Sequence, residues 1–326
     1  MNRLKKMSDA TANKKNKQLY SQLQSIHKRM IASNVLNPES YFRSADLFLK
    51  HFQILKKSPD LEFLSEILLY YSRLPYENLS KIIKHKAQMD WIEKIRLPEE
   101  VMEDHEHFHF GGTCFSLTFT LETILTRLGF ICYPIMADMK WKPNSHCALI
   151  VIWKNDKYLV DPGYLLNQPM HLNVKKPRIF HSEISGVEVI YHVSDDSYHL
   201  YTFNKTQTKW RYRFRDTICN RDAFLRFWLD SYYWNSMHGL LLTKVEKGRM
   251  VYVHKTYMRE TTFDAKKNRN IKHEYHTAIQ ETFGIEKIKV EEALAALDIN
   301  LARERELGLW VPKRANASSI EQRTCA

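Results

Sequence analysis

The sequence predicts an α+β fold in three parts, and three observations carry that prediction. Apolar residues recur at helical spacing up to Gly129. Short strand-like runs with turn signals then take over, and beyond about residue 217 helix and hairpin patterns mix. The parts are 36–129, helical and carrying a candidate nucleophile; 130–217, antiparallel β; and 218–310, mixed α and β. They are flanked by a basic extension, 1–35, and a loose tail, 311–326.

Each element has its own signal. Leu47, Leu49, Phe52 and Leu55 precede a break at Pro59, and Leu61, Phe63, Leu64, Ile67, Leu68 and Tyr71 resume the helical period. Pro75 forces Leu74 out of helical backbone, so 73–79 interrupts the pattern before a further short helix. Cys114 to Leu128 reads as helix, stopped by Gly129. Ile131–Met136, Cys147–Trp153 and Lys157–Val160 read as strands, with a hairpin turn at Lys154-Asn155-Asp156. Val187–Val193 and Tyr198–Phe203 continue the series. In Trp210-Arg211-Tyr212-Arg213-Phe214-Arg215 strict alternation predicts rings on one face and arginines on the other, either a solvated face or a phosphate contact. Asp222–Tyr233 is helical, Leu240–Lys244 and Val251–Tyr257 form a hairpin around Lys247-Gly248, and Glu291–Leu309 is an amphipathic helix presenting Leu294, Leu297 and Leu301.

Composition narrows the class. With 9 Gly and 10 Pro in 326 residues, collagen-like and linker-rich chains are excluded. Five cysteines at irregular spacing, without a CxxC pair, make neither a disulfide framework nor a zinc ribbon. Reduced thiols predict a cytoplasmic protein, and the polar, basic start lacks the apolar core of a signal peptide. The strongest apolar run, Cys147 to Trp153, is too short to span a bilayer, so no membrane role is expected. Residues 1–35 hold eight Lys or Arg against one acid, Asp9, giving +7 of the net +12. A solvated terminus explains this charge, and nothing further in the sequence points to nucleic acid. The remaining positive charge suits a polyanionic co-substrate.

Chemistry concentrates in three places. Cys114 follows Gly111-Gly112-Thr113 at a predicted helix start, where glycine lets backbone approach a ligand and free N–H groups favour a thiolate. His146 begins a strand. Asp161 closes the next one, fifteen residues on, and the turn at 154–156 sets the two near one end of a shared ladder. A thiol, an imidazole and a carboxylate so placed are the material of a Cys-His-Asp nucleophilic site. Taken singly, each has a plainer explanation: a small core cysteine, a loop end, an Asp-Pro-Gly turn.

Together these residues resemble the arylamine N-acetyltransferases. Gly111-Gly112-Thr113-Cys114 is similar to that family's Arg-Gly-Gly-aromatic-Cys, and His146, Leu149 and Val151 match its His-x-x-Leu-x-Val strand. Asp161-Pro162-Gly163-Tyr164 is similar to its Asp-x-Gly-Phe, with Pro169 downstream, and Leu74-Pro75-Tyr76-Glu77-Asn78-Leu79 to its Pro-Phe-Glu-Asn-Leu. Asn235-Ser236 and Lys247-Gly248-Arg249 resemble its third-domain strands, so the likeness covers about residues 37–290. It implies a helical domain, an antiparallel β-barrel domain carrying His146 and Asp161, and a C-terminal α/β lid around a cysteine-protease-like Cys-His-Asp core. It also implies catalytic roles for Cys114, His146 and Asp161 in ping-pong acyl transfer. The implied co-substrate is acetyl-CoA or another acyl-CoA, with no tightly bound cofactor, and the acceptor is a small-molecule amine or hydrazine. An amide synthase drawing on an acyl carrier protein and a non-catalytic binding protein of the same fold are the alternatives. Four positions depart from the family pattern: Phe110 for arginine, Thr113 for an aromatic residue, Thr118 for asparagine and Tyr164 for phenylalanine. Phe110, Thr113 and Tyr164 are the expected substrate-binding positions, and they predict an altered acceptor.

Two further groups of residues carry chemically capable side chains. His105, His107 and His109 would share a face if extended, a zinc-like pattern, but a polar loop leading into Phe110 explains them and no metal is expected. Cys147 follows His146 and should face the opposite side of the sheet, into the core.

Overall fold

The computed structural model describes residues 35–86, 91–182 and 184–309; the tail 311–326 and all of the basic extension except Val35 lie outside them. The helical part opens with α1 (Arg43–Phe52) and α2 (Leu61–Tyr71). Asp60 caps α2 by accepting the Phe63 amide at 2.7 Å, satisfying a donor that the helix leaves open. Pro75 ends this run, and β1 (Tyr76–Glu77) leads into α3 (Leu79–Lys86), α4 (Trp91–Lys94), α5 (Pro98–Phe108) and α6 (Cys114–Arg127).

α6 is the axis of the molecule. Every residue from Cys114 to Leu125 is buried, so one helix serves two cores. Leu117, Leu121, Ile124 and Leu125 pack with α1 and α2, whereas Phe115 and Phe119 pack with the C-terminal part. Its buried acid, Glu122, receives both guanidinium N–H groups of Arg221 at 2.7 Å, a paired geometry that offsets the cost of burying the carboxylate.

The second part is an eight-stranded antiparallel sheet in the order β5-β4-β3-β2-β9-β8-β7-β6. Its strands are β2 (Ile131–Met139), β3 (Lys142–Trp153), β4 (Asp156–Val160), β5 (Met170–His171), β6 (Arg178–His181), β7 (Gly186–His192), β8 (Ser197–Phe203) and β9 (Thr208–Phe214). The edge strands β5 and β6 come together, so the sheet curls into a nearly closed barrel. Its interior is filled by Ile135, Ala137, Ala148, Ile150, Leu200 and Tyr212, among others.

The third part carries α7 (Arg221–Asp230), a sheet of β10 (Leu241–Glu246), β11 (Arg249–His254), β12 (Tyr257–Thr261) and β13 (Lys266–Asn270), then α8 (Tyr275–Phe283) and α9 (Lys287–Glu306). β10 and β11 form the expected hairpin. α9 begins four residues before the predicted start, at Lys287, because Val290 is already buried against the core. No helix among the described residues is long and apolar enough to cross a membrane.

β1 joins this third sheet rather than the helices around it, pairing Tyr76 with Thr243 and Glu77 with Leu242. Asn78 locks the junction. Its side-chain amide donates to the Ser236 and Gly239 carbonyls at 2.8 and 2.9 Å and accepts the Leu241 amide at 2.8 Å. Replacing Asn78 by Ala leaves three backbone groups without their partner, the Gly239 carbonyl among them buried, and we expect a loss of about 1–3 kcal/mol in urea denaturation. A change below about 0.5 kcal/mol would show that water satisfies those groups instead.

Candidate active site

β3 is buried on both faces, which is why it reads as a continuous apolar run. Ala148 and Ile150 point into the barrel, and His146 shares their parity; Cys147, Leu149 and Val151 point toward the helices. The β3–β4 ladder runs from Trp153↔Asp156 to Leu149↔Val160, and Asp161 is the next residue on. There the His146 Nε2–H donates to Asp161 Oδ2 at 2.8 Å. Asp161 is wholly buried; its Oδ2 also accepts the Tyr212 hydroxyl at 2.5 Å and its Oδ1 the Tyr164 amide at 3.1 Å. With Nε2 committed to Asp161, the imidazole presents Nδ1 to Cys114.

Cys114 is the first residue of α6, so the amides of its first turn lack intrahelical partners. Thr113 occupies the cap position without a side-chain cap bond, leaving those donors for a group at the sulfur. The preceding glycines are explained by contact. A Cβ on Gly111 would lie 1.9 Å from the Pro75 carbonyl oxygen, and Glu77 N–H donates to Gly112 O at 3.0 Å. Gly163 faces the site from the other side: a Cβ there would fall 2.7 Å from His146 Cε1 and 3.1 Å from the Cys114 Cβ. Only glycine lets the Asp161 turn close onto the thiol and imidazole together.

The electrostatics follow from this packing. The Cys114 thiol is lowered to about 5, first by the neighbouring Cys147 thiol and then, against burial, by the hydrogen bond and charge of His146 and the charge of Lys81. Burial works against the His146 imidazolium, but the charge and hydrogen bond of Asp161, with Cys114, raise it to about 10. Cys147 is pushed up by burial, so it remains a neutral thiol beside the charged pair. These shifts favour a thiolate–imidazolium pair at neutral pH.

The structure thus brings Cys114, His146 and Asp161 together, with Tyr164 packed edge-on to the His146 ring at 5.2 Å. Phe110 sits elsewhere: its ring packs on Phe108 and its carbonyl meets His105 Nδ1 at 2.8 Å. A buried arginine outside the motif, which sequence spacing does not reveal, braces this backbone. Arg96 donates to the Gly111 carbonyl at 2.6 Å and pairs with Asp104 at 2.6 Å, with buried Glu77 3.7 Å away. Thr118 also ties two elements, donating to the Cys147 carbonyl at 3.3 Å and accepting the Cys147 thiol at 3.5 Å. Trp234 packs on Phe115 and Trp141, and the Lys142 ammonium covers its ring, so an aromatic cluster adjoins the residue that follows Cys114.

Two expectations need correction. The histidine triplet does not form an extended row or a loop: His105 and His107 lie on α5, where steps of two point apart, and His109 takes the left-handed turn that ends it. Among the described residues no group of three His, Cys, Asp or Glu could hold a metal ion. In β9 the alternation is broken by a bulge opposite Leu200/Tyr201. Tyr212 and Phe214 point inward, but Trp210 turns out to the Arg213 face and donates to His199 Nδ1 at 3.1 Å. Arg213 is held by Asp138 and Asp195, whereas Arg211 bonds Thr202 and acts on Tyr164.

A family model described as N-acetyltransferase matches residues 60–292, more than half of the chain. The chain belongs to the arylamine N-acetyltransferase family. No curated protein matches its sequence. Solved arylamine N-acetyltransferases share its fold. That of Salmonella typhimurium superposes with a TM-score of 0.64 at 16% identity, covering 78% of this chain and 98% of its own. That of Mycobacterium abscessus gives 0.65 at 18%, covering 78% and 94%. A Bacillus cereus member, described as having a Cys-His-Glu catalytic triad, gives 0.60 at 18%, covering 74% and 98%. This arylamine N-acetyltransferase family member is therefore an acyltransferase.

The thiolate assignment has a direct test. Alkylation of Cys114 by iodoacetamide, followed by peptide mass mapping, should fall to half its plateau near pH 5, because thiolate is lost as pH drops through the lowered pKa. A midpoint near the free-thiol value of about 8.5 would contradict it.

Proposed function

We propose that this protein transfers an acetyl group from acetyl-CoA to an amine-type acceptor by a ping-pong mechanism through an acyl-Cys114 intermediate. The observation that carries this reading is the buried Cys114–His146–Asp161 arrangement at the start of α6. In the first half-reaction the Cys114 thiolate attacks the thioester carbonyl. The oxyanion forms beside the free amides of the first turn of α6, which are fixed before reaction and so stabilise it without reorganisation. His146 then gives its Nδ1 proton to the departing CoA thiolate, and Cys114 keeps the acetyl group. In the second half-reaction the acceptor nitrogen attacks that thioester, His146 takes the amine proton, and the Cys114 thiolate leaves. Asp161 holds the imidazole in orientation throughout and stabilises its charged form.

The acceptor reading is narrower than the chemistry. Thr113, buried directly before the nucleophile, supplies a small hydroxyl-bearing side chain where the family pattern has a ring. With Tyr164 beside His146 and the Trp234 cluster beyond Phe115, this favours an acceptor more polar or bulkier than a simple arylamine. The formal charge of +12 favours encounter with the polyanionic donor.

Intact-protein mass spectrometry after incubation with acetyl-CoA should show a gain of one acetyl group in the wild type and none in Cys114→Ala. Absence of any adduct with acyl-CoA, alongside an adduct from an acyl carrier thioester, would point to amide synthesis. No adduct from either donor would leave a binding protein. Asp161→Asn keeps the shape but removes the charge, and acylation should slow by about two to four orders of magnitude. Loss of less than tenfold would mean that Asp161 does not support His146.

A further inference from the structure

The third part of the fold holds a cavity of about 570 Å³, and none of Cys114, His146, Asp161 or Tyr164 lines it. It lies between the segment that enters β10, the turn joining β11 to β12, and the helices α8 and α9. Its volume falls in the range of small-molecule sites. Leu240 and Leu297, both buried, join Leu294 to give it an apolar floor.

The mouth is cationic. Lys255, Lys272 and Lys287, all exposed, line it against a single carboxylate, Glu274. That acid is engaged elsewhere, since Arg269 reaches it at 2.9 Å. Lys287 has Glu291 at 3.5 Å, but among the described residues no acid lies within ion-pair distance of Lys255 or Lys272. Lys255 is also held in place. A Cβ on Gly239 would fall 2.9 Å from its Cε and 3.0 Å from its Cγ, so its stem lies along the cavity wall. Its N–H donates to the Leu240 carbonyl at 3.0 Å. The first residues of α8 and α9 complete the lining. The residues that precede these helices, Glu274 and Glu286, make no cap bond, and neither first turn contains an acid. Their open amides therefore add to the positive potential. In the same wall, His276 Nδ1 is buried without a partner, which leaves the polar lining incomplete.

An exposed lysine on an open surface is satisfied by water. Three lysines around a concave, apolar hollow differ, because low-dielectric walls focus their field on whatever enters. A neutral hydrocarbon would cover the leucines and leave the charges unanswered. A bare inorganic anion would answer the charges and leave the floor wet. The lining therefore selects for a molecule with two ends.

We propose that this cavity is a second ligand site, taking a small amphipathic anion: a hydrocarbon chain or ring that ends in a carboxylate or a phosphate. The anionic end meets Lys255 and Lys272, and the apolar body covers Leu240, Leu294 and Leu297. The site is independent of the acyl-transfer reading of Cys114.

Isothermal titration calorimetry on the full chain tests this with decanoate and phenyl phosphate as probes and 1-decanol as the uncharged control. At least one anion should bind saturably with a Kd below about 1 mM, and decanol should bind more weakly. A Lys255→Gln/Lys272→Gln protein should lose about tenfold in affinity, the effect of two exposed charge contacts. Which anion binds tells carboxylate from phosphate. Prior alkylation of Cys114 by iodoacetamide should leave the affinity unchanged. Saturable binding of neither anion overturns the proposal, as does decanol binding as tightly as the anions. So does an unchanged affinity in the double variant, and affinity lost on alkylation would place the anion at the active site instead. Thermal melts check that the double variant is folded; should it not be, Lys272→Gln alone decides, with weaker anion binding in support and wild-type binding against.

Discussion

Asp161 has no exposure to solvent, yet it accepts hydrogen bonds from His146, Tyr212 and the Tyr164 amide. A carboxylate in such surroundings is tolerable only when its lone pairs are filled and a cation stands beside it. Here that cation is the His146 imidazolium, held charged by Asp161 and Cys114 against its own burial. The imidazolium in turn helps to hold the Cys114 sulfur as a thiolate at the start of α6. Each charge is expensive alone and acceptable in sequence, so the three groups form one electrostatic unit.

The fold exists around that unit in a literal sense. β3 delivers His146 from one face and Cys147 from the other, and the closed end of the β3–β4 ladder sets Asp161 beside the imidazole. Closing the barrel through β2 and β9 brings in Tyr212, which faces His146 with ring centres 4.8 Å apart. The close approach at Gly163 then presses the Asp161 turn against both partners. On the helical side, Gly111 and Arg96 fix the backbone that leads into Cys114, and Asn78 fastens the same region to the third sheet.

How much of this could be read from residues alone depended on distance along the chain. The three-part α+β order, the β10–β11 hairpin and the fifteen-residue step from His146 to Asp161 are local properties of period and turn length, and they were legible. The barrel and the family came through ordered motifs rather than periodicity. Tyr212 was not legible as a partner of Asp161, because β9 reaches that carboxylate only through barrel closure against β2. Trp210 turns to the other face because of the bulge between β8 and β9. The histidine triplet failed differently: alternation suggested an extended run, but Pro98, Glu99 and Glu100 give a strong helix start, and the helical period overrides the pattern of two. For Cys147, side-chain parity was right but incomplete. Both faces of β3 are buried, and the helix-facing side leads to Cys114 itself. Arg96 carried no sequence signal, since it acts on residues brought near only by tertiary packing.

The central claim is that thiolate and imidazolium coexist in the resting protein. Nitrogen-15 NMR of histidine-labelled protein measures this most directly, with a His146→Gln variant to assign the signal. The account predicts that both ring nitrogens of His146 are protonated at neutral pH, with deprotonation only as pH approaches about 10. A His146 ring that is neutral at neutral pH and titrates near the ordinary value of about 6.5 would contradict it.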